Sequence, residues 1–270
     1  MDFRDSTSDT SMYIDHHSVP NFVNSLDKNE SEVEKIAKVV IKKSHNSFFG
    51  KISETSNSRI VIYVQRLYPS KNYLVIALSS NLGVLKSAKN IISRDPYLRK
   101  YKIRKLYQEI YNGYAVFYGI KSICEFYRLI EENNVLILSP YLFDKGSREY
   151  IVLGSKDDLN RYLRDLSYYY GLENVRWHEI SFRELLENLI DTSISTLMID
   201  KLTPAEKKVL IAAYRKGYFK YPKGVKQENL GATLNLSKVT VSIHLRKALK
   251  KILDDFIRFL EKEEYLNNSH

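Results

Sequence analysis

The chain has 270 residues, 44% of them hydrophobic, a formal net charge of +10 and a sequence isoelectric point near 9.3. That length suggests roughly two domains with real cores. The one cysteine, Cys124, excludes a disulfide framework within the chain, and no apolar run is long enough for a membrane span; both point to a soluble cytoplasmic protein.

Residues 1–30 are rich in Ser, Asp, Asn and Thr and read as a flexible tail. His16 and His17 could form half of a metal site. No further ligand stands at useful spacing, so neither a metal nor any other cofactor is expected.

Residues 31–182 read as an α+β sensor or oligomerisation domain. Alternation of apolar and polar residues predicts strands at Ile36–Lys42, Ser58–Arg66, Tyr73–Ser79, Lys100–Glu109 and Tyr114–Tyr118. Further strands are predicted at Val135–Pro140, Tyr150–Gly154 and Val175–Ser181. Helices are predicted at Leu82–Ser93, Ile120–Glu132 and Lys156–Tyr169. In the last, Asp157 and Asp158 suit the positive end of the helix dipole, and Leu159, Tyr162, Leu163 and Leu166 form a buried stripe. The order of strands and helices suggests a ferredoxin-like α/β sandwich, best seen in Val135–Ser181, and no exact internal repeat is visible. Cys124, beside Ile123, Phe126 and Tyr127, falls in an apolar helical setting and reads as core, not nucleophile.

Residues 183–202 form a linking helix and boundary, with Phe182–Ile190 amphipathic and Asp191–Thr196 interrupting it. Residues 203–270 then read as an all-α domain. Thr203 is an N-cap, Pro204 takes the first helical position and Glu206 completes a capping box. Gly217 ends that helix. A short helix follows at Gln227–Leu234, and Asn235-Leu236-Ser237 makes a turn in which Asn235 suits a left-handed conformation and Ser237 caps the next helix. Helix, three-residue turn and helix make a helix-turn-helix, whose second helix enters the major groove. Residues 201–250 hold ten Lys, two Arg and two Glu, the whole of the chain's positive excess. A basic patch confined to the motif is the footprint of phosphate binding, although a solvated lysine-rich surface would share it.

Leu202–Phe219, the continuation Tyr221–Val225, and the spaced positions Leu230, Leu234, Leu236, Ser237 and Thr240–Ala248 resemble the bacterio-opsin-activator type helix-turn-helix domain of archaeal regulators. The resemblance covers about 50 residues and implies an archaeal transcription regulator. Lys226 stands where that pattern has a Ser or Thr cap, Gly231 replaces a common Ala, and Asn235 replaces a common Gly. By helix propensity Gly231 costs roughly 1 kcal/mol relative to Ala.

Helical geometry places Val241, Leu245, Ala248 and Ile252 on a core stripe with Leu210, Leu230 and Leu234. The candidate DNA-binding residues are Ser237, Lys238, Thr240, Ser242, Ile243, Arg246, Lys247 and Lys250 on the recognition helix, 238–250. Arg246 suits bidentate contact to guanine, Ile243 a thymine methyl, and Ser242 a base or a phosphate. Lys238, Thr240, Lys247 and Lys250 suit phosphates. His244 reads as helix packing or a phosphate-side group. Tyr218, Phe219 and Tyr221 read as core or wing, not as a stacking platform for single strands. Leu249, Ile252, Phe256 and Phe259 make one heptad-like seam, which favours a homodimer over packing on the chain's own N-terminal domain. The partners expected are thus double-stranded DNA, a second copy and the basal transcription machinery, with no membrane. Among catalytic signatures there is no Gly-rich phosphate loop and no nucleophile elbow, so an enzyme is not expected. The alternatives are a non-specific nucleic-acid or chromatin-binding protein, and an enzyme with an accessory DNA-binding tail.

Overall fold

A computed structural model describes residues 34–44, 47–194 and 201–267. The expected tail and His16-His17 lie outside the described residues. Two βαββαβ successions follow one another. The first is β1 (Lys35–Ile41), α1 (Phe48–Thr55), β2 (Arg59–Leu67), β3 (Asn72–Ser79), α2 (Gly83–Arg94) and β4 (Ile103–Tyr111). The second is β5 (Tyr114–Ser122), α3 (Glu125–Glu132), β6 (Leu136–Asp144), β7 (Ser147–Gly154), α4 (Lys156–Tyr170) and β8 (Val175–Glu179).

The strands form one eight-stranded sheet in the order β4-β5-β3-β2-β6-β7-β1-β8, antiparallel throughout. From either edge inward the roles repeat: a fourth strand, the first strand of the other succession, then a third and a second. β1 and β5 are therefore exchanged between halves, and β2 meets β6 at the centre, where Ile62 faces Tyr141. The three strands of the expected unit at Val135–Ser181, β6, β7 and β8, are not all neighbours, because β1 lies between β7 and β8.

Alternation decides which face is covered. Ala37, Val39 and Ile41 of β1, Val75 and Ala77 of β3, and Tyr150 and Val152 of β7 point to the face under α1–α4 and are buried. The stripe expected on α4 is buried as read: Leu159, Tyr162, Leu163 and Leu166 pack there. Each such leucine contributes about 1.5–3 kcal/mol by leaving water. On the opposite face α5 (Phe182–Ile194) lays Leu185 and Leu189 over Ile36, Leu138 and Ile151.

All eight predicted strands and three predicted helices are present, but β4 begins at Ile103 and not at Lys100, because Arg99–Tyr101 form a 3-10 turn, and α5 runs on to Ile194 through the start of the interruption expected at Asp191. The short helix α1 was not predicted. The helix expected from Ile120 begins only at Glu125, because Ile120, Lys121 and Ser122 are the last residues of β5. Ile120, Ile123 and Phe126, three residues apart, are spaced for one face of a helix, so the local pattern favours a helix. The neighbours decide: Tyr73 pairs with Lys121, and the Ser122 N–H donates to the Lys102 carbonyl at 2.8 Å. Cys124 is thus the extended N-cap of α3, not a helical residue, and it packs against the core.

Candidate nucleic-acid interface

Three helices carry the basic segment: α6 (Pro204–Arg215), α7 (Gln227–Leu234) and α8 (Lys238–Asn267). The capping box of α6 is complete. Thr203 Oγ1 accepts from the Glu206 N–H at 3.2 Å, and Glu206 Oε2 accepts from the Thr203 N–H at 2.8 Å. The same Oε2 meets Lys251 Nζ at 2.7 Å, so a cap on α6 is also a tie to α8. Lys251 donates further to the Lys201 carbonyl at 3.0 Å, and Lys201 pairs with Asp255 at 2.6 Å. Burial by itself would raise the Glu206 carboxyl, but the ammonium and the N–H groups around it hold it below its usual value.

The turn between α7 and α8 follows the sequence closely. Asn235 is left-handed (φ 56°, ψ 45°), and the Leu236 N–H donates to the Gly231 carbonyl at 2.9 Å. A Cβ built on Gly231 would stand 2.5 Å from the Leu236 carbonyl oxygen. The glycine that propensity marks as unfavourable lets the chain fold back on the last turn of α7. Lys226 makes no side-chain cap bond. Ser237 Oγ accepts from the Thr240 N–H at 3.0 Å and bonds Thr240 Oγ1 at 2.8 Å, which sets the start of α8.

The predicted inner stripe is buried. Val241, Leu245 and Ala248 are at most 3% exposed, Ile252 is half-buried, and Val241 and Leu245 pack with Val209, Ala213 and Leu230, flanked by Leu210 and Leu234. Ile243, Arg246, Lys247 and Lys250 are exposed on the outside, with Ser237 and Lys238 exposed at the start of the helix and Thr240 and Ser242 half-buried. Val239, 66% exposed and four residues before Ile243, belongs to the same outer face but was not among the predicted contacts. Its spacing with Ile243 and Arg246 was the signal available.

Not all of these groups are free. Lys238 Nζ pairs with Glu228 of α7 and holds that carboxyl below its usual value, and Lys250 pairs with Asp254 at 2.7 Å. Ser237 and Thr240 spend hydrogen bonds on each other. Arg246 and Lys247 extend into solvent with no ion pair among the described residues. His244 is half-buried beside the core stripe, and its Nδ1 has no hydrogen-bond partner. Tyr218 packs into the small core and accepts from Gln227 Nε2 at 2.8 Å, as its core reading required, whereas Phe219 and Tyr221 are exposed.

Farther along α8 the expected seam is shifted. Leu253, Phe256, Ile257 and Leu260 are the exposed apolar residues, while Ile252 turns toward the core side and the Phe259 side chain lies outside the described residues. Leu249 joins Leu210, Ile211, Tyr214 and Phe219 in an open apolar groove between α6 and α8. The domain meets the sheet at the β4–β5 turn, where Lys201 Nζ stands 4.1 Å over the Tyr114 ring and Arg258 Nη1 donates to the Asn112 carbonyl at 3.3 Å.

Residues 202–254 match the family model described as HTH DNA binding domain, and this segment is a bacterio-opsin-activator type helix-turn-helix domain. The chain is also similar to the Transcriptional regulator NarO of Haloferax volcanii, at 30% identity over 81 residues. That alignment covers 29% of this chain and 38% of NarO, so the chain spans less than half the length of that relative. Among the described residues no helix is long and apolar enough to cross a membrane, and no group of His, Cys, Asp and Glu is arranged to hold a metal ion.

Proposed function

We propose that this chain is a sequence-specific transcription regulator that reads the major groove with the outer face of α8. One observation carries the reading: Val239, Ile243 and Arg246 stand on the exposed side of a helix whose opposite side is locked into a core. An exposed arginine one turn beyond two exposed aliphatic side chains suits guanine with thymine methyls alongside it. The flanking Lys247 and the capped start of α8 suit phosphate positioning. Two lysines of this surface, Lys238 and Lys250, are already neutralised by Glu228 and Asp254. That weakens sequence-blind attraction to phosphate and favours specific over non-specific binding.

The stripe Leu253, Phe256 and Leu260, with the groove beside Leu249, supports a homodimer that presents two recognition helices to two half-sites. The sheet domain is the sensor or assembly part. Its architecture is read as two ferredoxin-like units that have exchanged their first strands, supported by the strand order. Contact with the basal transcription machinery belongs to the same proposal.

The test is protection of genomic fragments by the full chain in the presence of excess competitor DNA. Recovery of one recurrent sequence motif, lost on Arg246→Ala, is the expected result. Uniform recovery of all fragments would instead favour the non-specific reading.

A further inference from the structure

The core of the sheet domain contains two cations without an acidic partner. Arg148, first turned inward on β7, is 3% exposed, and its Nε and Nη1 have no hydrogen-bond partner. Its guanidinium lies 3.7 Å from the Phe126 ring centre and 4.9 Å from that of Phe143. Lys121, near the end of β5, is 8% exposed and stands 5.7 Å over the Tyr127 ring. Burial, with the nearby charge of Arg148 adding to it, lowers the Lys121 ammonium, so the two groups repel.

No carboxylate relieves them among the described residues. Glu131, the acid that reaches the same aromatic stack through Tyr73, is held by Arg66 at 2.6 Å and by the Tyr73 hydroxyl. Apart from the Phe126 and Phe143 rings, the groups around the two cations are phenols and the Cys124 thiol, which hydrogen-bonds Lys121. Tyr127 and Tyr141 bond each other at 3.0 Å, Tyr150 and Tyr162 do so at 2.7 Å, and Tyr170 interacts with Arg148. Aromatic faces attract a cation but do not neutralise it. Burying two like charges together is costly, and native cores satisfy such groups. The cluster is one anion short.

We propose that Arg148 and Lys121 form a binding site for a small anion, a carboxylate or an oxyanion, seated beside the start of α3, where Phe126 and Tyr127 carry the two cations on their rings. The unpaired Nε and Nη1 of Arg148 point to different sides of the guanidinium, since Nη1 stands cis to Cδ, so each can donate one charge-assisted bond to an anion oxygen. Cys124 and Tyr170, both only partly buried, form the rim through which the ligand enters. Tyr170 is the last residue of α4 and is followed by Gly171 at positive φ (88°). The site is placed to report outward, because β5 carries Lys121 at one end and Tyr114, under Lys201 of the DNA-binding domain, at the other. The proposal deepens the sensor role given above and rests on it only for this consequence.

Binding is therefore measured on the full chain without DNA, so that failure of the anion site and failure of the DNA reading are separate results. Sodium benzoate and sodium sulfate are titrated calorimetrically at ionic strength held constant with sodium chloride, with benzamide as the neutral control. Saturable heat with benzoate, with sulfate or with both supports the site, and the pattern tells carboxylate from oxyanion. Lys121→Met and Arg148→Met are each expected to weaken it at least tenfold. Arg148→Lys, which keeps the buried charge and is the variant to use where the methionine forms do not fold, is expected to weaken it several-fold by losing the fixed direction of the guanidinium donors. No saturable heat with either anion overturns the proposal, as does equal heat with benzamide or binding unchanged in the variants.

Discussion

Glu206 is the residue on which the geometry of the DNA-binding domain depends most, and replacing it is expected to loosen that domain alone. It is 3% exposed, and its Oε2 serves the Thr203 N–H and the Lys251 ammonium together. Glu206→Ala removes the reciprocal half of the capping box, worth about 1 kcal/mol. It also removes the bond to Lys251. A charge-assisted bond contributes about 1.5–3 kcal/mol, but Lys251 is partly exposed and rehydrates, which brings its share to about 1–2 kcal/mol. The sum is about 2–3 kcal/mol, a large part of the stability of three short helices. Hydrogen exchange reads this locally: protection of the α6 and α8 amides should fall roughly 30- to 150-fold, while the sheet amides keep theirs. Glu206→Gln keeps an acceptor for the Thr203 N–H and should cost only about 1 kcal/mol. The charge contribution also has a pH signature. The folded carboxyl lies below its usual value, so its stabilisation is full above the unfolded pKa of about 4.3 and is lost as pH falls through the folded one. The difference between wild type and Glu206→Gln should therefore be greatest near neutrality and vanish in acid. Unchanged protection in Glu206→Ala, or a Glu206→Gln penalty that grows in acid, would refute this account.

Gly231→Val should destabilise α7 and its turn, since the added carbon meets a backbone carbonyl; an unaltered or raised melting midpoint would show that the turn can yield. Arg246→Ala should cost about 1–3 kcal/mol in specific DNA binding and relax preference at one base pair, measured by competition with single-base operator variants. An equal loss on every sequence would mark it as a phosphate contact. Lys250→Ala should reduce the slope of log affinity against log salt by less than about 1, because Asp254 already pairs with this lysine, and Asp254→Asn, which frees it, should tighten binding at low salt. Phe256→Glu should give a monomer by sedimentation without unfolding the chain; a dimer of undiminished affinity would remove α8 from the proposed interface.

Much of the candidate interface was legible in the residues themselves, because it is built from short-range rules. A capping box, a left-handed Asn235, a serine cap at 237 and a 3–4 apolar spacing each act within a turn or two of helix. Buried Val241 and Leu245 and exposed Arg246 followed from that spacing. The eight strands were likewise visible as period-two alternation.

What tertiary structure alone decided involves partners distant in the chain. Nothing local says that β1 leaves its own succession to lie between β7 and β8, because pairing is chosen by whole edges and not by neighbours in sequence. The same holds for Ile120–Ser122, where β3 and β4 claim residues whose own period also suits a helix. Charges behave alike: composition counts Lys238 and Lys250 with the basic patch, but Glu228 and Asp254 reach them only once α7 and α8 are folded. Arg148 and Lys121, twenty-seven positions apart, meet in one unneutralised core because strands and helices bury them together, and burial, which turns an ordinary cation into a demand for an anion, exists only in three dimensions.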